Sequence, residues 1–228
     1  MIVGKGLFAN AMKSIDRGDT IFFCSGVSNS SETDKNNFLR EENLLMSFKC
    51  TANKLIYFSS YFVNFDNYTK QLYYRHKKNM ELLVAENFEN YTIFRLPQVV
   101  GKCGNIHTLT NYLHSKISAG EKVNIFKNAK RNLLDIDDVT LFVSYILEKG
   151  LYANNIVSFA EPVSHSVSDI VDAFETILGL KIEKDFVSSL EEPYRDVVDK
   201  DVLEICKNLG IVFDETYIER LLKKYYGK

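Results

Sequence analysis

Short apolar runs rich in β-branched and aromatic residues alternate along this chain with amphipathic helical stretches, and that alternation constrains the fold more than anything else. Ile21–Cys24, Leu55–Phe58, Thr92–Leu96 and Ile156–Phe159 read as strands covered on both faces. Between them, Phe38, Glu42, Leu45 and Lys49 mark one helix. Val139, Phe142, Val143, Ile146 and Leu147 recur at helical spacing in another, with Asp137 as its cap and Gly150 as its stop. Such an order predicts a parallel sheet with right-handed crossovers. The last third changes character. Ser166–Asp169 reads as a capping box opening a helix that carries Val167, Ile170, Val171, Phe174, Ile177 and Leu178 on one stripe and ends at Gly179. Two more helical stretches, Asp199–Leu209 and Glu215–Tyr226, follow, so the C-terminal region is expected to be small and mostly helical.

Composition narrows the function classes. With 28 basic against 30 acidic side chains in 228 residues, there is no positive excess to neutralise a phosphate backbone, and nucleic acid is not an expected partner. Apolar stretches such as Leu141–Leu147 are far shorter than the roughly 20 residues that span a bilayer. The N-terminus lacks the basic start and cleavage site of a signal peptide, and the expected location is the cytoplasm. Cys24, Cys50, Cys103 and Cys206 are far apart, and His76, His107, His114 and His165 show no ligand spacing, so neither a disulfide framework nor a metal site is expected.

Three features carry chemistry. Gly4-Lys-Gly6-Leu7-Phe8-Ala9 is a GxGxxA between a very short strand and a helix-like segment, where glycines let the backbone approach a pyrophosphate at the helix N-terminus. A plain turn gives the same pattern. Tyr73 and Lys77 lie four residues apart on a helix beginning near Tyr68, so an ammonium can approach a phenol and lower its pKa, which makes a tyrosine usable as an acid or base. Tyr74 and Lys78 match the same spacing. Tyr73, Lys77, Met80 and Val84 share the apolar face, whereas the second pair is rotated about 100° away. Leu55–Ser60 ends a strand with two hydroxyls, at the sheet end where open α/β folds bind ligands. Serine is also a routine turn residue.

In this order the residues resemble the extended short-chain dehydrogenase/reductases, the nucleotide-sugar epimerases, dehydratases and ketoreductases, over nearly the whole chain. Gly4, Gly6 and Ala9 resemble the glycine loop and Phe22–Gly26 the strand beside the nicotinamide. Phe58–Ser60 resembles the strand with the catalytic hydroxyl, and Tyr73-x-x-x-Lys77-x-x-x-Glu81 the YxxxK helix. Arg95-Leu-Pro-Gln98-Val-Val-Gly101 is similar to R-x-x-N-V-x-G, and Arg131 with Asp137-Asp138 to a later R-x6-D segment.

The resemblance implies an α/β fold: a Rossmann-like parallel sheet lacking the usual second and third strands, with a small, mostly helical C-terminal substrate-binding part. Residues 1–101 and 132–158 would form the dinucleotide-binding part, and 102–131 and 159–228 the substrate-binding part. It implies a catalytic set of Ser60, Tyr73 and Lys77, with Tyr73 as general acid/base. Cofactor contacts would come from Gly4, Gly6, Leu7, Phe8, Ala9, Ser25, Gly26, Lys77 and Pro97, and substrate contacts from Ser60, Tyr61, Gln98, Asn105, His107 and Arg131.

The cofactor would be NAD or NADP, undistinguished because the strand that ends in the ribose-binding acid is missing and the adenosine side is reduced. Val3 stands at the first glycine of the longer family loop, and Ser60 to Tyr73 is a shortened interval. The implied partners are a nucleotide sugar and a second copy of the chain. The homodimer would pack helices near Asn36–Thr51 and Tyr68–Asn87, with Phe38 or Leu82 exposed. Keto reduction or epimerisation, of use in surface polysaccharide assembly, is favoured over dehydration, because Tyr61-Phe62 follows Ser60 where a dehydratase carries Asp-Glu. The alternative is a non-catalytic member of the fold that binds a nucleotide or nucleotide sugar in a regulatory role.

Overall fold

The computed structural model describes residues 1–50, 54–66, 68–188 and 199–227. The chain divides into two compact units, one of Met1–Leu96 with Ile136–Phe159, the other of Pro97–Asp135 with Ala160–Lys228.

The first unit is a doubly wound sheet. Its elements are β1 (Ile2–Val3), α1 (Leu7–Met12), β2 (Thr20–Phe23), α2 (Lys35–Met46), β3 (Lys54–Ser60), α3 (Leu72–Asn87) and β4 (Tyr91–Leu96). Later in the chain come α5 (Ile136–Lys149) and β9 (Asn155–Ser158). The five strands run parallel in the order β1-β2-β3-β4-β9. In a dinucleotide-binding sheet of order 3-2-1-4-5-6, this is the stretch that begins at strand 1, with the 3-2 flank missing. The expected loss of the second and third strands is thus what the described residues display.

Both faces of the sheet are covered, which is why its strands are mostly apolar. Ile21, Phe23, Leu55, Tyr57 and Ile93 pack on one face against Leu45 of α2 and Met80 and Val84 of α3. On the other, Phe94 meets Phe142 of α5 edge-on at 6.4 Å, and Phe142 stacks on Phe159 at 4.2 Å. Two starts differ from expectation. Asp137 lies in the first turn of α5 rather than capping it, and α3 begins at Leu72 after a short 3-10 turn at Tyr68–Lys70. The expected helix end at Thr51 lies outside the described residues.

The second unit holds more strand than its apolar stripes predict. It contains β5 (Gln98–Val100), α4 (Leu109–Ser118), β6 (Val123–Phe126), β7 (Lys130–Arg131), β8 (Leu133–Asp135), β10 (His165–Ser166), α6 (Val167–Leu178), β11 (Lys184–Val187), α7 (Lys200–Asn208) and α8 (Tyr217–Tyr226). Strands β5 and β8 pair in parallel, as do β6 and β11, while β7 and β10 run antiparallel. Because β5 and β8 bond to each other and not to the five-stranded sheet, they fall in this unit, not with residues 1–101 and 132–158. Leu113, Ile117, Ile170, Val171, Phe174, Leu221 and Leu222 form its core. The capping box is present: Ser166 accepts from the Asp169 amide and the Asp169 carboxylate from the Ser166 amide, and Gly179 ends α6 in the left-handed region. No helix among the described residues is long and apolar enough to cross a membrane, and none of their side chains form a cluster able to hold a metal.

Candidate active site

The glycine turn between β1 and α1 is set by strand spacing. Gly4 has φ +129°, and a Cβ there would lie 2.7 Å from the Cys24 carbonyl oxygen, so only glycine lets β1 and β2 close up. The Cys24 amide donates to the Val3 carbonyl at 2.7 Å across this point. Gly6 stands at the N-cap of α1 with open space where a side chain would be. Ala9 is buried beneath the turn, and Leu7 and Phe8 are half-buried, the Phe8 ring 4.7 Å from that of Phe58.

At the next strand end the geometry departs from what the Tyr-Lys spacing predicts. Lys77 is 4% exposed, and its Nζ donates to Glu41 Oε1 at 3.0 Å and to the Tyr57 hydroxyl at 3.1 Å. Glu41, fully buried on α2, also accepts from Tyr57 Oη (2.9 Å), the Val27 amide (2.6 Å) and His76 Nε2 (3.0 Å). Phe38 stacks on the His76 ring at 4.6 Å, so Phe38 is a core residue and not the exposed one a dimer face would show. Gly26 serves this ion pair: a Cβ there would fall 2.7 Å from Lys77 Nζ and 2.9 Å from Glu41 Oε1. Ser25 accepts from Arg40 through its carbonyl (3.2 Å) and hydroxyl (3.4 Å).

Lys77 Nζ lies 5.9 Å from the centroid of the Tyr73 ring, as the one-turn spacing requires. The expected lowering of the Tyr73 pKa is not what this arrangement produces. Burial first, and then the Glu41 charge, hold the phenol above its ordinary value. The cation that should oppose this is already paired with that carboxylate. Burial alone would raise Glu41 itself, but the Lys77 charge, the His76 and Val27 hydrogen bonds and the His76 charge overcome it and bring the carboxyl to about 2. Sequence reasoning passed over Glu41 and marked Glu42. The signal was present, since Phe38, Glu41 and Leu45 fall on one helical stripe and all three are buried. Tyr74, assigned to a rotated face, is also buried, 5.6 Å from Phe62 and 5.4 Å from Tyr68.

The two serines of β3 divide their roles. Ser59, buried, donates to Glu81 Oε1 at 2.6 Å, and Arg95 of β4 closes on the same carboxylate. Ser60 ends β3, where its hydroxyl accepts from the Phe62 amide at 3.3 Å and starts the next turn. Tyr61, expected at the substrate face, is fully buried and meets Phe65 edge-on at 5.6 Å, a ring belonging to the core.

The remaining predicted residues lie in the second unit. Gln98 begins β5 opposite Leu133 of β8, and half-buried Arg131, in β7, stands two residues before Leu133, so register brings both to one end of this strand pair. Arg131 Nη1 donates to the Lys130 carbonyl at 2.7 Å. Asp135, at the end of β8, pairs with Lys224 and the Tyr225 hydroxyl, each at 2.6 Å. Asn105 shapes the turn into α4, accepting the His107 amide at its side chain (3.0 Å) and Asn111 Nδ2 at its carbonyl (2.8 Å), while His107 is exposed. Pro97 is half-buried between β4 and β5.

By sequence, no protein-family model and no curated protein matches the chain. Solved structures do match it in fold. The UDP-glucuronic acid 4-epimerase from Bacillus cereus, in complex with UDP-glucuronic acid and NAD, aligns with TM-score 0.71 at 17% identity over 96% of this chain and 77% of its own. A UDP-glucose 4-epimerase from Thermotoga maritima, with UDP-glucose, gives 0.69 at 17% identity over 95% and 79%. The structure of RMD from Pseudomonas aeruginosa complexed with NADPH gives 0.68 at 14% identity over 90% and 79%. The fold is therefore that of nucleotide-sugar epimerases and related enzymes, as the resemblance in sequence implied.

Proposed function

We propose that this chain is an NAD(P)-dependent oxidoreductase or epimerase acting on a nucleotide-activated sugar, with keto reduction or epimerisation favoured over dehydration. The observation that carries the reading is the placement of Tyr73 and Lys77 one helical turn apart, 5.9 Å from ammonium to ring centroid, with Lys77 bonded to Tyr57 of β3 and lying against Gly26 just after β2. The fold matches, whose structures include NAD, NADPH, UDP-glucuronic acid and UDP-glucose, support it.

The residues present fit the pyrophosphate and nicotinamide half of a dinucleotide. Gly4 leaves no room for a side chain, Gly6 leaves its approach open, and Ser25 and Gly26 follow the neighbouring strand. When bound, the cofactor would supply hydride exchange at a sugar carbon. The chain's own residues would do the rest. Tyr73 Oη would hold the proton exchanged with the sugar oxygen, Lys77 would face the ribose, and Ser60 would orient the sugar hydroxyl. Gln98 and Arg131 would take the diphosphate, Arg131 through its two-pronged guanidinium. The reading includes a homodimer through α2 and α3, where Leu39 and Leu82 are 53% and 50% exposed.

Calorimetric titration with NADH and NADPH, followed by turnover of a nucleotide-linked 4-keto sugar, tests the reading. Binding of one cofactor, with turnover reduced about 100-fold or more in Tyr73→Phe, is expected. Retained turnover in Tyr73→Phe removes the assignment of the acid/base. Failure to bind either cofactor favours a non-catalytic nucleotide or nucleotide-sugar binding protein, a reading that the commitment of Lys77 to Glu41 and Tyr57 also fits.

A further inference from the structure

A dinucleotide-binding sheet is built from two βαβαβ halves, each of which takes one mononucleotide. One of these halves is complete here. Strands β2, β3 and β4 lie side by side in parallel, joined by α2 and α3, and β9 follows on the far side of β4. The other half is reduced to its first strand. Among the described residues no strand pairs with β1 except β2, so Ile2–Val3 form the edge of the sheet. The connection that follows holds no further strand. Helix α1 ends at Met12 and β2 starts at Thr20, which leaves the seven residues Lys13–Asp19, three of them in a 3-10 turn, whereas a parallel crossover takes a dozen or more.

The two acids of that connection stand at the other end of the sheet from the glycine turn. Asp16 accepts from the Gly18 amide at 3.1 Å and Asp19 from the Thr20 hydroxyl at 3.0 Å, just before β2 begins, whereas Gly4 and Gly6 follow the end of β1. In parallel strands all starts lie at one end and all finishes at the other, and at about 3.3 Å per residue the length of β2 alone sets them roughly 13 Å apart. Neither acid reaches a ribose beside the turn, the contact by which such a sheet holds the 2′-hydroxyl of NAD. Telling one substituent from another needs a group that the wrong one crowds or leaves unpaired. We infer that the chain reads a nicotinamide dinucleotide only through its nicotinamide ribotide and pyrophosphate, and accepts adenine, another purine or a 2′-phosphate alike on the far side. The inference rests on the proposed function for the presence of such a cofactor, and adds which part of it the protein recognises.

The test needs no sugar. The full chain is titrated calorimetrically with NADH, NADPH and the reduced dinucleotides in which guanine or hypoxanthine replaces adenine, at about 0.15 M salt, where charges more than about 8 Å apart are screened. Dissociation constants within about fivefold of one another are expected, because a built adenosine pocket would leave polar groups unpaired with the wrong base and separate them by about tenfold or more. A wider spread, whether adenine over the other purines or one of NADH and NADPH over the other, overturns the inference. Gly6→Val fills the open approach at the turn and is expected to weaken all four by the same factor, about tenfold. An effect on some and not others, or on none, also overturns it, and Gly6→Ala gives the same reading should Gly6→Val not fold. Binding of none of the four removes the proposed cofactor and this inference with it. A preference among them removes the inference alone, and absence of turnover on any sugar leaves it standing.

Discussion

Arg95 grips Glu81 at two points, Nε to Oε1 at 2.9 Å and Nη2 to Oε2 at 2.6 Å, so that strand β4 and helix α3 are joined by a fork on a carboxylate. Glu81 is 2% exposed and also accepts from Ser59, and Arg95 Nη1 reaches Asn64 Oδ1 at 2.6 Å. Removing one partner strands the other in the interior. Arg95→Leu should cost about 3 kcal/mol or more in urea unfolding. Arg95→Lys should recover only part of that, because a point charge replaces a two-pronged contact.

Gly26→Ala tests the space shared by Lys77 and Glu41. The added methyl would stand 2.7 Å from one and 2.9 Å from the other, so the pair must shift. A stability loss of about 1–3 kcal/mol is expected by thermal or urea unfolding, together with weaker NADH binding. An unchanged melting curve would place the pair elsewhere.

Acid should undo the same cluster. Glu41 titrates at about 2 in the fold against 4.5 ordinarily, so its contribution is whole above pH 4.5 and fades as pH falls toward 2. The contribution is about 3 kcal/mol at most. Urea unfolding at a series of pH values should show a steeper acid loss in wild type than in Glu41→Gln, which has no proton to gain there.

Arg131→Ala should weaken binding of UDP by about tenfold or more, with the sheet unit's melting unaffected, because a charged hydrogen-bond pair contributes about 1.5–3 kcal/mol. Calorimetry with UDP alone reads this without requiring the sugar to be known. Equal affinity in the variant would exclude Arg131 from the diphosphate site.

The parallel sheet was legible because strands buried on both faces must be continuously apolar, and Leu55–Phe58 and Thr92–Leu96 announce themselves by that rule. Helix α6 was legible down to its caps, since Ser166, Asp169 and Gly179 each fill a position with one chemical requirement. Strands β7 and β10 were not, because two residues are too few to show a period. The site was half-legible: spacing puts Tyr73 and Lys77 on one face, but their electrostatics depend on Glu41, which is distant in sequence and sits in a segment of ordinary surface composition. Nothing local to Tyr73-x-x-x-Lys77 signals that its lysine is already neutralised. Ser59 and Ser60 differ only in which face of β3 they occupy, and alternation along the strand decides which one is buried.

Strand β4 waits for its second neighbour. Its pairing with β3 is complete within the first hundred residues, whereas Thr92–Arg95 meet their other partners only at Asn155–Ser158. As the polypeptide leaves the ribosome, a strand edge of unpaired backbone donors and acceptors therefore stays open while the intervening segment is being made. That interval is when a newborn chain is most prone to stick to its neighbours, and chaperone dependence during synthesis should track mutations in β9 more closely than those in β1.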